Sequence, residues 1–207
     1  HDYYRRSYLS IPNRELESLY WIQLYKFAAS TRPDRPLIDN HGVWSKEGVY
    51  AFATWDYNVQ AIYRINLTAN MVDFGQPLLN FLEQNFNQDT MWQPEHNELR
   101  AGMRQQCFLR YHFFDTVNWE HQPDSPCDGP AKFLWGVHNY MLHARHLCDE
   151  SMLPKLLLML EGGINAMLAG MQIEDDGCYH IPGGHSWESW HGKDPTVLLA
   201  ILNWALD

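Results

Sequence analysis

The chain has 207 residues, of which 45% are hydrophobic, 14% aromatic and 19% charged; this supplies a sizeable core and excludes a disordered chain, a coiled coil and a collagen-like rod. The 15 basic against 25 acidic residues leave a net charge of −10 with histidine neutral, which repels phosphate backbones and excludes nucleic acid as the expected partner. No uninterrupted apolar run reaches the ~18–20 residues of a membrane span, so no membrane insertion is expected either.

The dominant period is helical. Residues 13–30 place Leu16, Leu19, Tyr20, Gln23 and Phe27 on one face, with Ser10 and Asn13 as candidate N-caps. Pro33 and Pro36 end that helix. A loop carrying Gly42, Trp44 and Gly48 then runs to Trp55. Loops longer than about 12–15 residues in compact domains are usually functional. A second helix is expected over 59–71 and a third over 77–86, with Pro77 in its first turn. Residues 87–128 are polar and broken by Pro94, Pro123 and Pro126, with one short helix expected over 95–106.

The fourth long helix is expected over 131–148, with Val137, Tyr140, Met141, Ala144, Leu147 and Cys148 as its stripe. The fifth starts near Ser151 and has the stripe Leu153, Leu156, Leu157, Leu160, Ile164, Met167, Leu168 and Met171. Gly162-Gly163 inside it costs about 1–2 kcal/mol against alanine, so a closely packed neighbour is expected there. Glu174-Asp175-Asp176-Gly177 is a turn signal between short extended segments. The last helix opens with Asp194 as N-cap and Pro195 at its first position, and is apolar nearly all round. The expected fold is therefore all-α. Antiparallel helix pairs are joined by long aromatic loops, with one small hairpin, and would stack into a ring or superhelix.

Four constellations have the composition of a site. In Trp55-Asp56-Tyr57-Asn58-Val59-Gln60, Asp56 and Asn58 share a face only if the chain is extended. A carboxylate beside a carboxamide can then hold and polarise a water; alternatively, Asp56 is an N-cap. In the run from Pro182 to Gly192, Trp187 and Trp190 flank Glu188. Apolar neighbours raise a carboxyl toward the general-acid range, and glycines let backbone approach a ligand. An ordinary surface loop has the same composition. His143 and His146 share a helical face near His138, but no carboxylate completes a metal set, so no metal or cofactor is expected. Finally, His112, Asp115, Asn118 and Trp119 sit among further aromatics, which suits a neutral sugar or a packed loop.

Cys107, Cys127, Cys148 and Cys178 have no two-residue gaps, so both disulfides and four free thiols stay open. The sequon Asn66-Leu67-Thr68 carries little information.

Several segments, in order, resemble glycoside hydrolase family 95, whose members include inverting α-L-fucosidases. Ser30-Thr31-Arg32-Pro33 and His41-Gly42-Val43-Trp44 resemble its Ser-Arg-Pro and Gln-Gly-x-Trp segments. Asp56 through Gln60, then Asn70 and Gln76 through Phe81, resemble its Asn-x-Asn-x-Gln…Asn…Pro-Leu-x-x-Phe stretch. His112 through Trp119 resembles its His-x-Asn-x-Asp-x-Trp loop. Phe133-Leu134-Trp135, His138-Asn139-Tyr140 and Ser186-Trp187-Glu188 resemble its Ala-Trp-Leu…His-Tyr and Ser-Pro-Glu segments.

The resemblance implies an (α/α)6 toroid of which residues 1–207 form a single partial domain. It implies inverting hydrolysis of a neutral oligosaccharide carrying α-L-fucoside or related α-galactoside bonds, in a secreted or periplasmic protein. An acid protonates the leaving oxygen while a base activates water on the opposite face. Asn58 matches one water-holding asparagine, and Asp56 replaces the other. The family's general acid falls at Val197 or Leu198, which cannot donate a proton, so Glu188 and Asp194 are the nearest substitutes. The implied catalytic set is Asp56, Asn58 and Glu188. The implied sugar contacts are Trp44, Trp55, His112, Asp115, Asn118, Trp119 and Trp187. A non-catalytic sugar-binding relative and a different helical toroid acting on polysaccharides are the alternatives. Because the base-side aspartate of the family lies in a later segment, part of a larger domain is expected, with apolar surface left open.

Overall fold

The structure is a computed structural model that describes residues 2–35, 37–38, 57–86, 127–185 and 191–207. The expected helix over 95–106, Cys107 and the loop from 39 to 56 lie outside the described residues. Among those described, the elements are mostly helical, with two very short antiparallel strand pairs. The chain divides into two compact units, residues 1–84 with 139–150, and residues 85–138 with 151–207.

In the first unit a 3-10 turn, Asp2–Arg5, precedes helix α1, Arg14–Ser30. Asn13 caps α1 as expected, its Oδ1 accepting the N–H groups of Glu15 at 3.0 Å and Leu16 at 3.1 Å. Glu15 and Glu17 add negative charge at the positive end of the helix dipole. The buried face differs from the expected stripe. Leu24 and Phe27 are buried, whereas Leu16, Leu19 and Gln23 face solvent. The reason is a cluster of Leu24 with Ala69 and Met71, joined by Tyr20 and Trp21, which turns the 20–24–27 side inward.

The single helix expected over 59–71 is two short ones, α2, Asn58–Ile62, and α3, Ile65–Thr68. Between them the ladder tightens, with the Arg64 N–H bonding the Ala61 carbonyl three residues back at 3.3 Å. That turn buries Tyr63 edge-on to Phe27 and lets its hydroxyl accept the Ile38 N–H at 3.1 Å. Burial pushes the Tyr63 hydroxyl up to about 12. Asn70, at φ 54, ends α3 in the left-handed region that asparagine tolerates. A 3-10 turn, Val72–Gly75, then leads into α4, Gln76–Asn85.

Helix α5, Asp128–Leu147, gives residues 139–147 to the first unit and 128–138 to the second. Its expected stripe is buried at Val137, Tyr140 and Ala144, but Leu147 and Cys148 are exposed. The Tyr140 hydroxyl donates to Glu83 Oε1 at 2.8 Å, and burial beside that carboxylate raises its pKa strongly.

The second unit continues with α6, Leu153–Gly170, strands β1, Gln172–Ile173, and β2, Tyr179–His180, then β3, Gly184–His185, β4, His191–Gly192, and α7, Thr196–Leu206. Strand β1 pairs antiparallel with β2, and β3 with β4. Gly177, at φ 77, closes the expected turn between the first pair. The core gathers Cys127, Ala131, Leu134, Met167, Ile181, Leu198 and Leu202. The Cys127 thiol lies there, 3.5 Å from the Met167 carbonyl, and Cys148 and Cys178 are exposed free thiols.

The stripe expected on α6 is met in part: Leu156 and Met167 are buried and Leu160, Ile164 and Met171 pack against the core. Leu156, Met159, Gly162, Gly163, Ala166, Met167 and Gly170 are buried, whereas Leu153, Leu157 and Leu168 are exposed. At Gly163 the lack of a side chain is used by α5. A Cβ on Gly163 would stand 2.4 Å from Leu134 Cδ2 and 2.7 Å from its Cγ, so the close neighbour expected from Gly162-Gly163 is present. Glu150–Gly170 is also long and apolar enough to cross a membrane by length and composition alone, with a mean hydropathy of 1.3.

Gly163→Ala should lower stability by about 1 kcal/mol net, since overpacking costs ~1–3 kcal/mol against the ~1 kcal/mol that alanine gains in helix propensity. A lower melting temperature checks this. The exposed Leu157 and Leu206, 63% and 62% accessible, with Leu153, Leu158 and Leu199, should make the chain self-associate as concentration rises. Sedimentation velocity should show species beyond the monomer, reduced by Leu157→Lys.

Candidate functional site

Of the site residues expected from sequence, Asn58 is described. Asp56, Glu188, Trp44, Trp55, His112, Asp115, Asn118, Trp119 and Trp187 lie outside the described residues. Asn58 is half-buried and opens α2, directly after Tyr57 at φ −155, ψ −39. The chain thus turns helical at Asn58, one residue before the expected start. Two residues on, Gln60 is fully buried, and its carbonyl accepts the Asn139 side-chain N–H at 2.8 Å. Gln60 and Asn139, far apart in sequence, therefore meet within the first unit. A buried amide-to-carbonyl bond of this kind fixes register as well as adding stability.

The histidines of α5 separate. His143 is buried, and a Cβ on Gly75 would reach within 2.8 Å of its ring and 2.5 Å of Asn66 Nδ2, so the three positions are tightly packed. Desolvation lowers the His143 pKa, with a further push from His146, which is exposed. His138 packs edge-on against Trp204 with centroids 4.6 Å apart. Among the described residues, no group of three His, Cys, Asp or Glu side chains is placed to hold a metal ion.

The base of segment 182–193 is built by a charged cluster. The Asp194 backbone N–H donates to the Ile181 carbonyl at 3.1 Å, and the Ile181 N–H donates to Asp194 Oδ1 at 2.7 Å. The other Asp194 oxygen, Oδ2, accepts from His180 Nδ1 at 2.6 Å, and His180 Nε2 donates to Asp176 Oδ2 at 3.1 Å. Both ring nitrogens face carboxylate oxygens, an arrangement that favours the protonated ring, in which each nitrogen carries a proton. The Asp194 and Asp176 hydrogen bonds raise the His180 pKa. The hydrogen bond from His180 holds the Asp194 carboxyl below the usual range, and the Cys178 N–H, then His180, does so for Asp176. Lys193 lies beside them, its ammonium 2.6 Å from Glu174 Oε2.

Three expectations for this segment change. Asp194 is not the N-cap of α7. Pro195 is, because the Asp194 side chain is turned back to His180 and Ile181, with its own backbone at φ 49. An Asp194 carboxylate engaged at both oxygens is also poorly placed to donate a proton, so of the two substitutes nominated from sequence Asp194 is set aside, and Glu188 lies outside the described residues. Gly184 serves packing within the unit. A Cβ there would lie 2.7 Å from Leu198 Cδ1, 2.8 Å from Pro195 Cγ and 3.1 Å from Asp128 Oδ1. The sequence reading had no role for His180 or Asp176. The available signal was their four-residue spacing across a Gly177 turn.

Compared with family models, with curated proteins and with solved structures, the chain matches none.

A histidine buried neutral makes stability fall with acid, since the unfolded chain takes up the proton that the native state refuses. The contribution of His143 should be complete above its ordinary value of 6.5 and decline as pH falls below it. Urea unfolding across that range should show a shallower pH slope for His143→Gln than for the parent chain.

Proposed function

We propose that the chain is a carbohydrate-active domain resembling glycoside hydrolase family 95, acting on neutral oligosaccharides. The ordered series of segments carries this reading, and the hydrogen bond between Asn139 and Gln60 supports it by joining two members of that series. In this reading the helices are part of an (α/α)6 toroid. Asp56 and Asn58 hold and activate water. Glu188 protonates the leaving oxygen of an α-L-fucoside or α-galactoside, with inversion. Trp44, Trp55, Trp119 and Trp187 offer faces to the sugar, and His112, Asp115 and Asn118 bond its hydroxyls. No cofactor, metal or nucleic acid takes part. Helix α6 is a core helix rather than a membrane span, consistent with Met159 and Met167 buried along it. The protein works outside the cytoplasm.

A second reading, a sugar-binding relative without turnover, draws on one observation. Leu198, at the position matching the family's acid, is buried in the second unit's core, and Asp194 is tied to His180. Neither donates a proton, so catalysis rests on Glu188 alone on the acid side.

Assays of aryl α-L-fucosides and aryl α-galactosides, on this chain alone and with any sequence that follows it in its gene, separate the readings. Hydrolysis that drops about 10²–10⁴-fold in Glu188→Gln supports the enzyme. Calorimetric binding of a neutral oligosaccharide without turnover, kept in Glu188→Gln and Asp56→Asn but lost in Trp44→Ala or Trp119→Ala, supports the second reading. Neither binding nor turnover by the folded chain overturns both.

A further inference from the structure

The first unit carries a cavity of about 460 Å³ lined by Tyr4, Trp21, Ile22 and Tyr25. Trp21 and Tyr25 are four residues apart on α1 and so share one face of it. Tyr4 comes from the 3-10 turn before α1 and stands edge-on to Trp21, with ring centroids 5.6 Å apart and planes at 66°. Three aromatic rings therefore line one hollow, within the range of about 300–1,000 Å³ usual for small-ligand sites.

Its walls are fixed from both ends. Trp21 packs with Tyr20 against the buried cluster of Leu24, Ala69 and Met71. The segment that brings Tyr4 is tied down just after it. Arg6 pairs with Asp73 and lies over the Phe74 ring, 5.7 Å from its centroid. The Asn70 side-chain N–H donates to the Arg6 carbonyl at 2.9 Å. Ser7 Oγ lies 3.1 Å from the Tyr20 hydroxyl, and the Ile11 N–H donates to Glu17 Oε2 at 3.0 Å. Walls already in place spare a ligand the cost of ordering them.

Charge decides which ligands fit. Among the described residues no charged side chain lines the cavity, and the chain as a whole carries a net charge of −10. An anion is repelled by that net charge, and a charged group of either sign would give up hydration without an ionic partner in the lining. The ring faces attract C–H groups through their negative quadrupole, and tyrosine hydroxyls both donate and accept hydrogen bonds. An uncharged ligand with C–H faces and many hydroxyls answers all of these conditions at once. We propose that Tyr4, Trp21 and Tyr25 form a binding site for a sugar ring of a neutral oligosaccharide.

Tyr4, Ile22 and Tyr25 are 38%, 54% and 45% exposed, so a residue within a longer glycan can reach the rings without any rearrangement of the unit. None of the lining residues belongs to the segments that resemble family 95. The site therefore holds or fails independently of the enzyme reading.

The test titrates the whole chain with cellohexaose, maltohexaose and mannohexaose in turn, following the Trp21 indole N–H and the Ile22 methyl groups by NMR. Cyclohexanol, a ring with one hydroxyl, is the control. At least one of the three glycans should shift both signals saturably, with a Kd of about 1 mM, the strength of a small open site. Tyr25→Ala, at an exposed position that keeps the fold, should weaken binding about tenfold or more. Tyr25→Phe keeps the ring and should weaken it about threefold through the lost hydroxyl. Trp21→Ala should abolish it, and Tyr25→Ala carries the test if that variant loses its core packing. Hydrolysis of aryl glycosides is read in the same samples. Hydrolysis without shifts at Trp21 and Ile22 overturns this site alone, whereas the shifts without hydrolysis support it and count against the enzyme. Absence of saturable shifts with all three glycans, equal affinity for cyclohexanol, or binding that survives Tyr25→Ala overturns the proposal. So does movement of the same signals with protein concentration alone, which would show a second copy of the chain filling the cavity.

Discussion

The second unit is organised by how Leu134 of α5 seats against Gly163 of α6. Leu134 is fully buried and occupies the space that a side chain at Gly163 would need. Gly162, Gly163, Ala166 and Gly170 are buried along α6, and Met167 joins Leu134 in the core cluster. A glycine leaves room for a neighbouring side chain to gain dispersion contacts with the helix. The cluster that results also takes in Leu198 and Leu202 from α7 and Ile181 from the segment after β2. The strand pairs, too short to be stable alone, are thereby attached to a packed helical core.

Ile181 is also where packing meets electrostatics. Its side chain is in the core and its backbone is bonded in both directions to Asp194. Asp194 is used up by this arrangement. One oxygen serves Ile181 and the other serves His180, and the backbone takes a left-handed conformation to allow both. A carboxylate so engaged holds its charge and does not exchange a proton with a substrate. In the proposed enzyme reading this sets Asp194 aside as the acid and leaves the role to Glu188.

The first unit shows the same economy with polar groups. Asn13 caps α1, Asn139 joins α5 to the Gln60 carbonyl, and Tyr63 accepts the Ile38 N–H from within the core. Each satisfies backbone that would otherwise be left buried or at a helix end. Burial lowers the His143 pKa in the same unit, whereas hydrogen bonds to two carboxylates raise that of His180 in the other. The two respond to pH in opposite directions, because desolvation governs the first and paired carboxylates govern the second.

The sequence by itself determined the all-α character, the cap at Asn13, the ends of α1 and α4 to within a residue, the Gly177 turn and the close neighbour at Gly163. These follow from local chemistry: hydrogen-bond donors at helix ends, backbone preferences, and the cost of glycine in a helix. The tertiary structure decided the innermost face of α1 and part of that of α6, whereas the expected stripe on α5 is buried at Val137, Tyr140 and Ala144. Both α1 and α6 are apolar on more than one side, so periodicity could not choose between Leu16 and Leu24, or between Leu157 and Gly163. Tertiary contacts also decided that 59–71 breaks in two around Tyr63 and that Asp194 turns back to His180 instead of capping α7. Such choices depend on partners distant in sequence or on a competing hydrogen bond, and neither is written in a local pattern.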